Sequence, residues 1–234
     1  MKALNSLFLA GLLMAVFSCA ALGDQSATPA ANVFSASPEL PPTLKRVLVL
    51  PLTCEGSEMN LSDGCQMLDP VLRASLIKTG EFEVVAADPE TLRRCTGKMS
   101  WMGTEVLPAD FFTGLKNIYG CDAVLFCQLT QFRPSPPLAV GWRLKLVDVE
   151  TGKIIWAADG IFDAGKLAVA KDAEAFERRE QPRNKVIYEV YSFLAWCINV
   201  PTRSALDDQW SILHSPSYFA EYSAQKLLDT MPQR

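Results

Sequence analysis

VGWRLKLVDVETGKIIWAADGIF (Val140–Phe162) decides the fold class. Val140, Trp142, Leu144 and Leu146 alternate with polar or small residues, the period of a strand that buries one face. Glu150-Thr151-Gly152-Lys153 breaks that rhythm, and a second strand-like run follows from Ile154 to Phe162. A tight return between two such runs needs a residue at positive φ, which glycine adopts without steric strain. The stretch predicts an antiparallel hairpin turning at Gly152.

Upstream of the hairpin the pattern changes. Ala123 to Phe132 reads as a strand, separated from the hairpin by the proline-rich loop at Pro134 to Pro137. RVLVLPL at Arg46 to Leu52 is apolar on successive residues, as a strand buried on both faces must be. Asn60 to Gly64 reads as a turn; Leu68, Val71, Leu72 and Leu76 then fall at helical spacing, with Asp69-Pro70 either capping that helix or kinking a longer one. Phe82 to Ala86 is a second strand, Asp88-Pro89 caps another helix, and Pro108 to Tyr119 is helical up to Gly120. The order β-α-β-α-α-β-β-β followed by helices predicts an α/β (α+β) mixed sheet, parallel early and meandering late. The core is expected over residues 45–165, with a helical extension over 166–234 packed on it. Within that extension Lys171 to Arg183 reads as a solvated charged helix face, Val186 to Ile198 as an apolar helix with Trp196 in the core, and Ser215-Pro216 as the cap of a last amphipathic helix.

Residues 1–18 read as a signal peptide. Lys2 is followed by an apolar run from Leu7 to Phe17, too short to span a bilayer and suited to a secretory h-region. Val16-Phe17-Ser18-Cys19 resembles the lipobox read before lipid is attached to cysteine, which makes Cys19 the candidate lipidation site; cleavage after Ala21-Leu22-Gly23, giving a soluble periplasmic protein, is the alternative. Residues 19–44, rich in Ala, Ser, Thr and Pro, are expected to be a flexible linker. Of the remaining cysteines, Cys54 with Cys65 is the candidate disulfide, and buried free thiols are the alternative. A net charge of −4 without any Lys/Arg-rich run argues against nucleic-acid binding.

RVLVLPLT with LRASLIKTGEFEVV, GLKNIYGCDAVLFCQLTQF, and LKLVDVETGKIIWAADGIF together resemble a family of exported proteins. It comprises the peptidoglycan-synthase activator lipoproteins of the B type, the curli secretion lipoprotein and the amino-terminal domain of TolB. The resemblance covers residues 45–163 and implies a TolB-like core in the cell envelope rather than a specific task, since one fold hosts many functions. The linker is shorter than the stalk of the enteric activators, and no further strand pairs remain for a curli-type pore.

No catalytic motif emerges. Lys98 and Lys153 each follow Thr-Gly but lack the upstream glycine of a phosphate loop. The single histidine, His214, has no partner in sequence, and Ser75 lacks the context of a nucleophile elbow. No cofactor or metal pattern is present. Trp101 and Met102, in a loop between glycines, are candidate exposed partner-contact residues, with a loop folded back on the core as the alternative. The expectation is a non-enzymatic, lipid-anchored envelope protein, at the outer membrane and facing the periplasm, acting through contacts with an envelope protein in peptidoglycan synthesis or envelope assembly. The alternative is a self-associating, ring-forming subunit of a secretion or polysaccharide export system.

Overall fold

A computed structural model describes residues 31–54, 59–180 and 211–234. The elements are β1 (Asn32–Ser35), β2 (Arg46–Val49), β3 (Thr53–Cys54), α1 (Met59–Thr79), β4 (Glu83–Ala86), α2 (Pro89–Thr96), α3 (Phe111–Tyr119), β5 (Ala123–Arg133), β6 (Ala139–Asp148), β7 (Ile154–Asp163), α4 (Leu167–Glu180) and α5 (Pro216–Leu228). One seven-stranded sheet runs β1-β7-β6-β5-β2-β4, with β3 also paired to β5. β2 is parallel to β4 and β5, whereas β5, β6, β7 and β1 are antiparallel in turn. This is the mixed α/β architecture expected from the sequence.

The sheet divides the core in two. Val47, Val49, Ala123, Leu125, Cys127, Trp142, Leu144 and Trp156 face one side with apolar residues of α1, α4 and α5. Leu48, Leu50, Val124 and Phe126 face the other, against Leu92 of α2, Phe111 and Leu115 of α3, and Trp101. The successive apolar residues of β2 and β5 are thus explained, because each strand feeds both layers.

Local chemistry fixes the element ends. Asp88 accepts the Thr91 amide at 2.8 Å to cap α2, and Gly97 and Gly120 close α2 and α3 in the left-handed conformation. The Asp122 carboxylate accepts the amides of Lys45 and Arg46 at 2.8 and 2.9 Å, pinning the start of β2 to the start of β5. α1 begins at Met59, so the expected turn at Asn60 to Gly64 is helical, and Pro70 lies inside the helix. An interior proline costs roughly 3 kcal/mol; burial of Leu68, Leu72 and Leu76 on the sheet opposes that cost.

A bulge explains one irregular spacing. Leu129 and Phe132 both face the core formed with α1, although strict alternation would put Gln131 there. Register shifts between Leu129 and Gln131, and the extra residue, Thr130, sits against Gly141. A Cβ on Gly141 would lie 2.5 Å from the Thr130 hydroxyl oxygen, so only glycine fits opposite the bulge.

The expected flexible linker over residues 19–44 is corrected in its second half. Asn32–Ser35 pairs antiparallel with β7, Leu40 and Leu44 are buried, and the Leu40 amide reaches the Gln233 carbonyl at 3.2 Å. Composition misleads there because a short polar strand needs only an available sheet edge, and β7 supplies one. α4 and α5 contribute Val169, Ala173, Phe176, Phe219 and Tyr222 to the same core as the sheet. The charged stretch is described only as far as Glu180, and Val186 to Ile198, with Trp196, lies outside the described residues.

Two substitutions test this frame. Gly152 has φ +66°, and its amide donates to the Asp148 carbonyl at 2.9 Å. Gly152→Val forces a β-branched residue into that conformation and should cost about 1–3 kcal/mol, read from the denaturation midpoint, while Gly165→Val, at ordinary φ, should cost less. Phe126 is 3% exposed and stacks on Phe111 with centroids 6.0 Å apart. Phe126→Ala should cost about 3–5 kcal/mol in the same measurement.

Candidate functional site

The loop after α2 covers one margin of the sheet. Trp101 is 4% exposed, meets Phe111 edge-on at 5.3 Å and donates its indole N–H to the Thr96 hydroxyl at 2.8 Å. Lys98 lies 4.5 Å above its ring and pairs with Glu105, whose carboxyl is held below the usual range by that contact. The expectation of an exposed Trp101–Met102 pair is therefore corrected: Trp101 is buried, Met102 is half-buried, and the loop folds back on the core. The indole finds both a hydrogen-bond partner and an aromatic partner there, which solvent would not supply together.

Beyond this loop the same sheet face carries polar residues. Arg143 donates to Asp159 at 2.7 Å across β6 and β7 and to the Gln128 side chain at 3.4 Å across β5 and β6. Lys145 donates to the Gly103 carbonyl, tying the loop to the sheet. Phe34 on β1 is 53% exposed and Ile161 on β7 is 46% exposed. Register aligns Phe34 with Ala157 and Lys145, and Asn32 with Asp159, Arg143 and Gln128. The result is a ribbed surface with paired charges and two exposed apolar side chains, suited to contact rather than to enclosing a substrate. The alternating basic residues of β6 were legible in sequence; their partners on β5, β7 and β1 were not.

Two cavities lie among the described residues of the sheet and its covering helices. One of about 20 Å³ lies between Gly103, Phe126, Gln128, Arg143 and Lys145, and one of about 160 Å³ lies between Glu81, Gln225, Asp229 and Met231. Sites that enclose small organic ligands usually measure about 300–1,000 Å³. Among the described residues no group of three or more His, Cys, Asp or Glu side chains is placed to hold a metal, and no helix is long and apolar enough to cross a membrane.

The remaining candidates take structural places. Ser75 donates to the Val71 carbonyl at 3.0 Å within α1, and His214 is exposed in the turn before α5. Lys153 is exposed at the hairpin. Cys19 lies outside the described residues. Cys54, half-buried, and Cys65, buried, are both free thiols in this structure.

No family model matches the chain, and no curated protein matches it. Solved structures do resemble it. The PelC dodecamer of Paraburkholderia phytofirmans is 13% identical with a TM-score of 0.47, over 88% of this chain and 98% of that one. Lipoprotein GNA1162 of Neisseria meningitidis is 24% identical with a TM-score of 0.37, over 50% of this chain and 79% of that one. The C-terminal domain of LpoB from Salmonella enterica is 22% identical with a TM-score of 0.33, over 50% of this chain and 81% of that one. These likenesses transfer neither activity nor partners to this chain.

α4 and α5 are latched by a polar cluster that the sequence did not reveal. Tyr222 is fully buried and donates to Asp172 at 2.9 Å, while Lys226 pairs with the same carboxylate at 2.8 Å. Burial, then the Asp172 carboxylate, push the Tyr222 hydroxyl well above its usual range. Unfolded tyrosine releases its proton near pH 10, whereas the folded protein keeps it. Stability from this group is therefore complete below about pH 10 and is lost as pH rises beyond it, by up to about 1.4 kcal/mol per pH unit. Tyr222→Phe should flatten that alkaline limb in denaturant titrations at pH 9–11.

Proposed function

We propose that this chain is an exported cell-envelope lipoprotein, held to a membrane face through Cys19, that acts by protein–protein contact and has no catalytic activity of its own. The observation that carries the reading is Val16-Phe17-Ser18-Cys19 behind a short apolar run, followed closely by a folded core. The ribbed polar face of β5, β6, β7 and β1 supports a contact role.

The position of β1 shortens the tether. From Cys19 to Asn32 the chain advances thirteen residues, at most about 45 Å when drawn out. The core therefore works beside the membrane that holds its anchor. The partner in this reading is another envelope protein, engaged in peptidoglycan synthesis or envelope assembly, reached within that radius. Several acyl chains on one cysteine would make the anchoring stable.

Radioactive fatty acid fed to producing cells should label the wild type and leave Cys19→Ala unlabelled and released to the soluble fraction. Equal release of both forms would overturn the anchor. In-cell crosslinking of the anchored form should capture a different envelope protein; a closed ring of copies by light scattering would replace the contact role with an assembly role.

A further inference from the structure

We infer that Cys54 and Cys65 form a reversible disulfide that staples the end of β3 to the first turns of α1. Two hydrogen bonds set the geometry. The Thr53 hydroxyl donates to the Cys127 carbonyl at 2.9 Å, which fixes β3 against β5, and the Leu52 amide donates to the Asp69 carboxylate at 2.9 Å, which fixes α1 over the chain entering β3. From that second contact the strand and the helix run in opposite directions, since α1 returns the chain between the parallel strands β2 and β4. Two residues forward along a strand cover about 6.6 Å, and four residues back along a helix cover about 6 Å. Leu52 opposite Asp69 therefore places Cys54 opposite Cys65.

The two thiols differ in access. Cys65 is 8% exposed, and burial pushes its thiol above the usual range, with Cys54 and Asp69 adding to the effect. Cys54 is half-buried, so it is the sulfur an incoming disulfide can reach. The Cys54 thiolate attacks one sulfur of an oxidant disulfide, such as glutathione disulfide or a thiol–disulfide oxidoreductase, and the other half leaves as a thiol. Cys65 then gives up its proton and attacks the Cys54 sulfur of the mixed disulfide, releasing the second half. Two protein thiols are oxidised, one disulfide is reduced to two thiols, and both protons pass to the leaving sulfurs. Cys127 and Cys121 are buried on β5 and just before it, and they have no such access.

The test uses the purified full chain in buffers of graded oxidised and reduced glutathione, quenched with an alkylating agent and mapped by peptide mass. The expected result is a linked pair of peptides containing Cys54 and Cys65, lighter by two hydrogens and separated by dithiothreitol. In Cys65→Ala, Cys54 should accumulate a glutathione adduct; in Cys54→Ser, Cys65 should stay alkylatable only after unfolding. Circular dichroism checks that each variant folds, and mapping of the wild type alone decides the matter where one does not. Cys54 remaining free in the most oxidising buffer, or linkage of either residue to another cysteine such as Cys127, would overturn the proposal.

Discussion

Strand β5 is hydrogen-bonded along both edges and buried on both faces, and the rest of the molecule is arranged to satisfy it. β2 and β3 pair with one edge and β6 with the other. Leu125, Cys127 and Leu129 point into the layer shared with α1 and α5, while Val124 and Phe126 point into the layer shared with α2 and α3. Buried backbone groups of such a strand need partners in the sheet, which β2, β3 and β6 supply over most of its length. The Asp122 carboxylate just before it accepts the Lys45 and Arg46 amides and so fixes the incoming chain of β2. The bulge at Thr130 near its end returns Phe132 to the core, with glycine at position 141 opposite it.

The two faces of the sheet are finished differently. The face under α1, α4 and α5 is covered along most of its width, and Trp142, Trp156 and Tyr222 fill it. The opposite face is covered by α2, α3 and the Trp101 loop over β2 and the first half of β5. Towards β7 and β1 it carries Arg143, paired with Asp159 and Gln128 across the strands, and Lys145, which donates to the Gly103 carbonyl. Partly exposed ion pairs of this kind add little stability, about 0–1 kcal/mol each. Charges fixed in this way set the orientation of whatever docks on such a surface more than the strength of its binding.

β1 forms the free edge of the sheet beside β7, so the ribbed face extends to the element that opens the described part of the chain.

The hairpin at Gly152, the doubly buried strands β2 and β5, and the caps at Asp88 and Ser215 could be read from the sequence. Each rests on local chemistry: a backbone angle that one residue type tolerates, a side chain that reaches its own helix, or a pattern of apolar residues along one strand. The fate of residues 32–44, the burial of Trp101, the bulge at Thr130, and the Asp172–Tyr222–Lys226 latch could not. Those depend on partners far away in the chain. A polar strand becomes ordered when β7 offers an unpaired edge, and an indole turns inward when Phe111 and Thr96 stand ready. Sequence by itself determined which segments could fold and how each would end; tertiary structure decided which distant groups they would satisfy, because hydrogen-bonding groups and apolar surfaces are completed only by what the fold brings beside them.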